Sequence, residues 1–175
     1  MTTPTWSVRR LHALDDAQID ELADVLIDCV EGGASVSFMH PLTRDRAVAF
    51  WRHVAESVAA GRRALLVAED ARGICGTVHL VFDLPENQPH RADLAKTLVH
   101  RRARRQGVGA ALIRAAEATA RECGKTLLVL DTANDEAERL YERHGWVRVG
   151  VIPGYALLPR GGLCSTTLYY RNLGD

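Results

Sequence analysis

The chain has 175 residues, of which 47% are hydrophobic and 25% are charged, and its 22 basic and 22 acidic side chains balance at pH 7. A chain of this size can bury one proper core, and its balanced charge argues against a general nucleic-acid or membrane-surface binder. No apolar signal segment begins the chain, and no run approaches about 18 apolar residues. We therefore expect a single domain over residues 1–175, located in the cytoplasm.

Hydrophobic periodicity predicts an alternation of strands and helices along the chain. Apolar residues recur every three or four positions in the predicted helices, and residues 126–131 form the continuous apolar run typical of a central strand. In chain order, the predicted elements are strand 6–13, helix 15–30, loop 32–42, helix 44–61, strands 63–70 and 74–83, turn 86–90, strand 91–100, helix 107–124, strand 126–131, helix 134–145, and strands 146–152 and 165–173. This order predicts a mixed α/β sheet, with strands 91–100 and 126–131 parallel and joined by a right-handed crossover.

The cysteines and histidines form no metal-binding pattern. The four cysteines lie far apart and include no CxxC pair, and the seven histidines contain no HxH or HExxH spacing. We therefore expect free thiols and no metal site.

Residues 101–113, RRARRQGVGAALI, place four arginines within five positions and then a Gly-Val-Gly. The segment begins a predicted helix, whose free N–H groups and positive dipole end favour an anion. A P-loop is excluded because no Gly-Lys-Ser/Thr follows, and a Rossmann fingerprint is excluded because Leu112 stands where a third Gly or Ala is required. A nucleic-acid patch and a solvated charge run remain alternatives. We expect the four arginines to serve a phosphate-binding loop at residues 104–110.

A second motif follows at residues 134–146, NDEAERLYERHGW. It has the form Asn-x-x-Ala-x-x-Leu-Tyr followed by Gly and an aromatic residue, and the loop at 104–109 has the form Arg-x-x-Gly-x-Gly. In this order, and separated by a buried strand, the two motifs resemble those of the GCN5-related N-acetyltransferase (GNAT) family. That resemblance implies a single-domain α/β fold, with a mostly antiparallel mixed sheet of about six to seven strands and helices on both faces.

The resemblance also implies acetyl-CoA as co-substrate, without a metal, and direct transfer of its acetyl group to an amine. In the family, the loop amides bind the pyrophosphate and the preceding strand end pairs with the pantetheine arm. The coenzyme-binding residues implied here are Leu98, Val99, Arg104, Arg105, Gln106, Gly107, Val108, Gly109, Ala110, Asn134, Ala137 and Tyr141. From the residues alone, the alternative role of Asn134 is a plain helix N-cap, and that of Tyr141 is a half-buried aromatic.

Three residues are candidates for proton transfer. The family motif makes Tyr141 the acid that protonates the departing thiolate, and Asp131 and Asp93 are candidates for the base that deprotonates the amine. Asp131 ends the central strand, where it could instead cap the next helix. Asp93 is expected on the same strand face as Thr97, with a surface ion pair as its alternative role.

Four further stretches, at 32–39, 91–99, 130–132 and 152–174, resemble the tabtoxin-resistance acetyltransferases within the family. This narrower resemblance implies a small amino-acid-like or toxin acceptor and a role in toxin resistance. Phe38 and Met39 could line the acceptor site or pack under their loop.

Two positions depart from the family pattern, with His100 in place of a proline and Arg105 in place of a glycine. A non-catalytic acyl-CoA sensor is the alternative function. The expected partner is a small-molecule amine, rather than a nucleic acid or a membrane, and a homodimer is an option because dimers are common in the family.

Overall fold

The computed structural model describes residues 5–174. Within them, seven strands, four α-helices and one short 3-10 helix follow one another. The elements are β1 (Trp6–Leu11), α1 (Asp16–Glu31), α2 (Arg44–Ala59), β2 (Arg63–Asp70), β3 (Gly73–Val81), β4 (Arg91–Val99), a 3-10 helix (Arg101–Ala103), α3 (Val108–Glu122), β5 (Leu127–Thr132), α4 (Asp135–Arg143), β6 (Val147–Leu157) and β7 (Leu163–Asn172). Every predicted element is present in the predicted order, and the 3-10 helix is an addition.

The strands form one mixed sheet in the order β1-β2-β3-β4-β5-β7-β6. Only the β4–β5 pair is parallel, and every other neighbouring pair is antiparallel. The predicted parallel pairing across α3 is therefore confirmed, as is the predicted mixed, mostly antiparallel sheet, which has seven strands.

Helix starts follow from local capping chemistry. The Asp15 side chain accepts a hydrogen bond from the backbone of Gln18, whose side chain bonds back to Asp15, and Thr43 caps α2. Asn134 caps α4 in the same way. By contrast, α3 begins after Gly107 without any side-chain cap, so its first N–H groups keep their capacity to bind an anion.

Helices cover the sheet on both faces, as predicted. Leu65 and Val67 of β2 pack with α1 and α2, whereas Leu66 and Ala68 point the other way, toward α3. This alternation is the period-two pattern of a strand that is buried on both sides. We call the two surfaces the α1/α2 face and the α3/α4 face.

Strand β6 is longer than predicted because it continues through Pro153 and Gly154, which predict a turn. It is the last strand of the sheet, so a residue without an N–H is tolerated there. The pairing with β7 shifts register between Ile152 and Ala156, around these two residues. The prediction that β6 ends at Ile152 is therefore wrong.

A bulge in β4 reverses the direction of its side chains. Thr77 pairs with Leu98 and His79 with Ala95, so one β3 residue opposes two residues of β4, and Lys96 at the bulge has φ 52°. Leu94 accordingly packs on the α3/α4 face, and Leu98 on the α1/α2 face.

This reversal separates Asp93 from Thr97. With the extra residue, Asp93 falls on the α1/α2 face while Thr97 contacts Tyr141 on the other face. The prediction that Asp93 shares a face with Thr97 is therefore wrong.

Strands β4 and β5 pair over only three residues each, from Arg91 with Leu127 to Asp93 with Val129. Beyond that point the two strands separate. The second half of β4 and the end of β5 are left facing a gap in the middle of the sheet, and this gap is where the cavity described below lies.

A buried histidine lies under the α1/α2 face, next to this gap. His79 is fully buried, and its Nδ1 lies 2.7 Å from Nη1 of Arg63. Because a guanidinium can only donate, Nδ1 accepts and the neutral ring carries its proton on Nε2. Burial lowers the pKa of His79 well below its usual value, and the charges of Arg63 and Lys96 lower it further.

His79 should make the folded protein sensitive to acid. Below about pH 6.5 this histidine becomes protonated in the unfolded chain but stays neutral in the folded protein. The free energy of unfolding is therefore highest above that pH and falls below it. We expect the free energy of unfolding to fall by up to about 1.4 kcal/mol per pH unit, until the pH reaches the pKa of His79 in the folded protein. His79→Asn keeps an acceptor near the Nδ1 position and removes the titration. Denaturant unfolding between about pH 7 and pH 5 should show a shallower pH dependence for this variant, and parallel profiles would contradict the assignment.

Candidate active site

One large cavity, of about 970 Å³, opens where β4 and β5 separate. Its walls come from the α1–α2 loop, the end of β4, the phosphate-binding loop with the start of α3, the end of β5 with the start of α4, and the β6–β7 hairpin. The predicted site residues that line it are Phe38, Met39, Leu98, Val99, Arg104, Arg105, Gly107, Val108, Gly109, Ala110, Asp131, Asn134, Ala137 and Tyr141. Only Gln106 and Asp93 of the predicted set are outside the lining.

The start of α3 supplies backbone donors to this cavity. Gly107 has φ 81°, a left-handed conformation that glycine adopts without strain. The N–H groups of Val108, Gly109 and Ala110 lie in the first helical turn, where no preceding carbonyl accepts them. A Cβ at Gly109 would lie 3.3 Å from Cδ2 of Leu140, so the glycine allows the start of α3 to pack closely against α4. The geometry suits a phosphate group.

The four arginines divide into two pairs, which corrects the expectation that all four serve the phosphate-binding loop. Arg101 forms an ion pair with Asp28 of α1. Arg102 bonds Asp70 through Nε at 2.9 Å, and its Nη2 donates to the Ile74 carbonyl at 2.9 Å. These two arginines fasten the 3-10 helix to neighbouring elements. Their guanidinium groups are therefore engaged by acidic side chains and a carbonyl of the protein itself.

Arg104 and Arg105 face the cavity, but they are not equivalent. Nε of Arg104 donates to the Val99 carbonyl at 3.1 Å, so one strand-end acceptor expected to meet pantetheine is already engaged. Gln106 turns away, and its amide donates to the Arg102 carbonyl. Of the loop side chains, Arg105 is the one that projects without an ion pair among residues 5–174.

Both departures from the family pattern have a structural account. His100 has φ −57°, close to the angle of proline, but its N–H donates to the Cys75 carbonyl at 2.8 Å, which a proline could not do. Its Nδ1 accepts from the backbone of Arg102. Arg105 has φ 59°, in the left-handed region that favours glycine, at a cost of about 1–2 kcal/mol.

Tyr141 is buried to 4% exposure at the base of the cavity. Its hydroxyl donates to Oγ1 of Thr97 at 3.2 Å, across the gap between α4 and β4. Burial raises the pKa of Tyr141, the Thr97 hydrogen bond lowers it, and the charge of Asp131 raises it. The phenol is thus held in its protonated form, as a general acid requires.

The two candidate carboxylates have different surroundings. Asp131 lines the cavity and accepts a hydrogen bond from Oγ1 of Thr166 at 2.7 Å. It does not cap α4, because Asn134 performs that role through its bond from the Ala137 N–H at 3.0 Å. Asp93 forms an ion pair with Arg91 outside the cavity lining, which is the alternative considered for it.

Sequence reasoning did not assign several polar residues of this cavity to the site. Ser37, Lys96, Thr97 and Thr166 are among them. The one available signal was composition, because Lys96 is one of only two lysines among 22 basic residues. No group of three or more His, Cys, Asp or Glu side chains in residues 5–174 is placed to hold a metal ion. Each helix in this part of the chain is too short or too polar to cross a bilayer.

Several solved structures share this fold. A candidate acetyltransferase from Salmonella typhimurium, solved with its cofactor acetyl-CoA, has a TM-score of 0.79 at 18% identity, covering 98% of this chain and 95% of the other. An N-acetyltransferase from Staphylococcus aureus Mu50 has a TM-score of 0.80 at 15% identity, covering 97% of this chain and 99% of the other. Ribosomal-protein-alanine N-acetyltransferase from Brucella melitensis has a TM-score of 0.78 at 19% identity, covering 95% of this chain and 99% of the other.

A family model places the chain more directly. The acetyltransferase (GNAT) domain matches residues 61–148, from β2 to the start of β6 and therefore through the phosphate-binding loop and α4. The chain belongs to the GNAT acetyltransferase family.

Replacing Gly109 tests the phosphate-binding loop. Gly109→Asp adds a carboxylate beside the first-turn N–H groups that are expected to bind the phosphate, so acetyl-CoA affinity should fall by at least about tenfold through charge repulsion. An acidic residue in the first turn of a helix is itself stabilising, so the fold should persist. Gly109→Ala is the matched control, since it adds the same Cβ without charge. Calorimetry showing unchanged acetyl-CoA binding by the folded aspartate variant would exclude this loop as the phosphate site.

Proposed function

We propose that the protein is an acetyl-CoA-dependent N-acetyltransferase acting on the amine of a small amino-acid-like, toxin or antibiotic acceptor. The observation that carries this proposal is that one cavity contains three separate parts. These are the uncapped start of α3, the buried hydroxyl of Tyr141 and the carboxylate of Asp131. Each part suits one task of acetyl transfer, namely binding the coenzyme phosphates, protonating the thiolate and binding the amine.

The phosphate-binding loop would hold the coenzyme. The N–H groups of Val108, Gly109 and Ala110 would donate to the pyrophosphate, with Arg105 adding a charge-assisted bond. The unpaired edge of β4 beyond Asp93 would receive the amide groups of the pantetheine arm. Arg104 would share or release the Val99 carbonyl as this arm binds.

The chemistry then requires three proton movements. Asp131 accepts a proton from the acceptor ammonium, directly or through water, and the freed amine nitrogen attacks the thioester carbonyl. A C–N bond forms, the C–S bond breaks, and Tyr141 gives its proton to the departing sulfur. Because burial raises the pKa of Tyr141, the phenol is fully protonated at neutral pH when this step begins. The newly acylated nitrogen releases its second proton, which restores the Tyr141 hydroxyl.

The acceptor class rests on the resemblance to the tabtoxin-resistance group, as does the proposed role in toxin resistance. Fold likeness does not decide the acceptor, because one structural neighbour is named for a ribosomal protein. A non-catalytic acyl-CoA sensor would need the phosphate-binding loop alone. Tyr141 and Asp131 in the same cavity favour catalysis, and thiol release from acetyl-CoA with a panel of amines tests it.

Tyr141→Phe tests the general acid. The variant keeps the ring packing and removes the hydroxyl, so turnover should fall by roughly 10²–10⁴-fold with acetyl-CoA affinity nearly unchanged. Thr97→Val is the control, because it removes the same hydrogen bond while leaving the Tyr141 hydroxyl in place. Equal losses in the two variants would assign the effect to the hydrogen bond, and unchanged turnover in Tyr141→Phe would leave the tyrosine a packing role.

Asp131→Asn tests the base. Asparagine still accepts a bond from Thr166 but carries no charge, so kcat/KM for the acceptor should fall by at least about tenfold while acetyl-CoA binding stays intact. Asp93→Asn and Glu136→Gln serve as controls, one outside the cavity and one within its lining. Steady-state kinetics that are equal to those of the unchanged protein for Asp131→Asn would reject a carboxylate base.

A further inference from the structure

We propose that Lys96 binds a carboxylate of the acceptor, so that the preferred substrate carries an anionic group beside its amine. This inference rests on the proposed function and adds a residue that decides specificity. It concerns the half of the cavity away from the phosphate-binding loop, where the α1–α2 loop, the bulge of β4 and the end of β5 meet.

The bulge places Lys96 in the cavity wall. Nζ of Lys96 donates to Oγ of Ser37 on the α1–α2 loop at 3.0 Å and lies 5.9 Å from the centre of the Phe50 ring. The stem is thus packed under the loop while the ammonium faces a polar atom of the cavity lining. Two of its three donors are left for another acceptor.

Among residues 5–174, Lys96 has no counter-ion. Within residues 5–174, no carboxylate oxygen lies within 4.0 Å of Nζ, whereas Arg101 and Arg102 both have acidic partners. Burial lowers the pKa of Lys96, Arg63 lowers it further, and Asp131 raises it. The neutral ring of His79 and the side chain of Phe50 add no negative charge. A partly buried ammonium without an anion is unfavourable, and a bound carboxylate would relieve that cost.

Asp131 lies across the gap from this ammonium, on the strand that separates from β4. Its carboxylate is likewise without a cation within 4.0 Å among the described residues, although it acts on Lys96 through its charge. The two walls therefore present opposite charges to whatever occupies the space between them. An α-amino acid matches this arrangement, with its ammonium toward Asp131 and its carboxylate toward Lys96 and Ser37.

Matched acceptors test the pairing in kinetics. Thiol release from acetyl-CoA is measured with the common α-amino acids and with their primary amides, which keep the amine and lose the carboxylate. The unchanged protein should prefer the acids. Lys96→Met should lower kcat/KM for the acids by about 10- to 100-fold and leave the amides nearly unchanged. Lys96→Arg should retain part of the preference, because it restores the charge.

The chain contains its own control. Lys125 is the other lysine, and its Nζ also lies over an aromatic ring, 5.1 Å from the centre of Phe82, but outside the cavity lining. Lys125→Met removes the same charge and stem and should leave the preference for acids intact. Equal rates for acids and amides in the unchanged protein would overturn the inference. So would an equal loss for both in Lys96→Met, which would assign Lys96 to the acetyl group instead.

Chemical labelling separates this inference from the proposed function. With two lysines only, mass spectrometry can follow acetic anhydride labelling of each separately. In the presence of coenzyme A, N-acetylated amino acids should slow labelling of Lys96 but not of Lys125, and their primary amides should slow neither. If no amine is acetylated, the proposed function fails while this protection still supports the carboxylate site. If the N-acetylated amino acids do not change the labelling rate of Lys96, the carboxylate site is rejected, whatever the kinetics show.

Discussion

The site depends on the separation of β4 from β5 after three paired residues. A parallel pair that continued would satisfy both strand edges and fill the middle of the sheet. Because pairing stops at Asp93 and Val129, the second half of β4 keeps an open edge and Asp131 ends beside a gap. The bulge at Lys96 turns Thr97 toward Tyr141 at the same place. The candidate coenzyme site, the candidate acid and the candidate base thus share one cavity because the β4–β5 pairing stops early.

The arginine cluster shows how a neutral protein concentrates positive charge without a large positive field. Arg101 and Arg102 are neutralised by Asp28 and Asp70, and they connect the 3-10 helix to α1 and to the turn between β2 and β3. That connection holds the start of α3 in position from outside the cavity. A loop supported in this way presents its backbone donors before a ligand arrives, which lowers the cost of ordering on binding. Arg105 is then left to face the ligand.

Much of the fold was predictable from the sequence because amphipathic periodicity and capping residues identify helices and strands locally. Asp15, Thr43 and Asn134 each begin a helix through their own side chains. The bulge at Lys96 was not predictable, because a lysine at positive φ has no local signal and only the sheet pairing imposes it. Because of this one extra residue in β4, Asp93 was predicted on the wrong face of the sheet and Lys96 was not predicted to line the cavity. The loop motif was found, whereas the division of its arginines depends on partners distant in sequence.

Backbone strain is concentrated at the same cavity. In residues 5–174, the non-glycine residues with positive φ are Ser37, Lys96 and Arg105, and all three line it. Each conformation costs about 1–2 kcal/mol, and glycine would remove that cost. Glycine would also remove a hydroxyl, an ammonium and a guanidinium that face the ligand space. The strained backbone therefore coincides with polar side chains at both ends of the cavity, with Arg105 before α3 and with Ser37 and Lys96 on the proposed acceptor side.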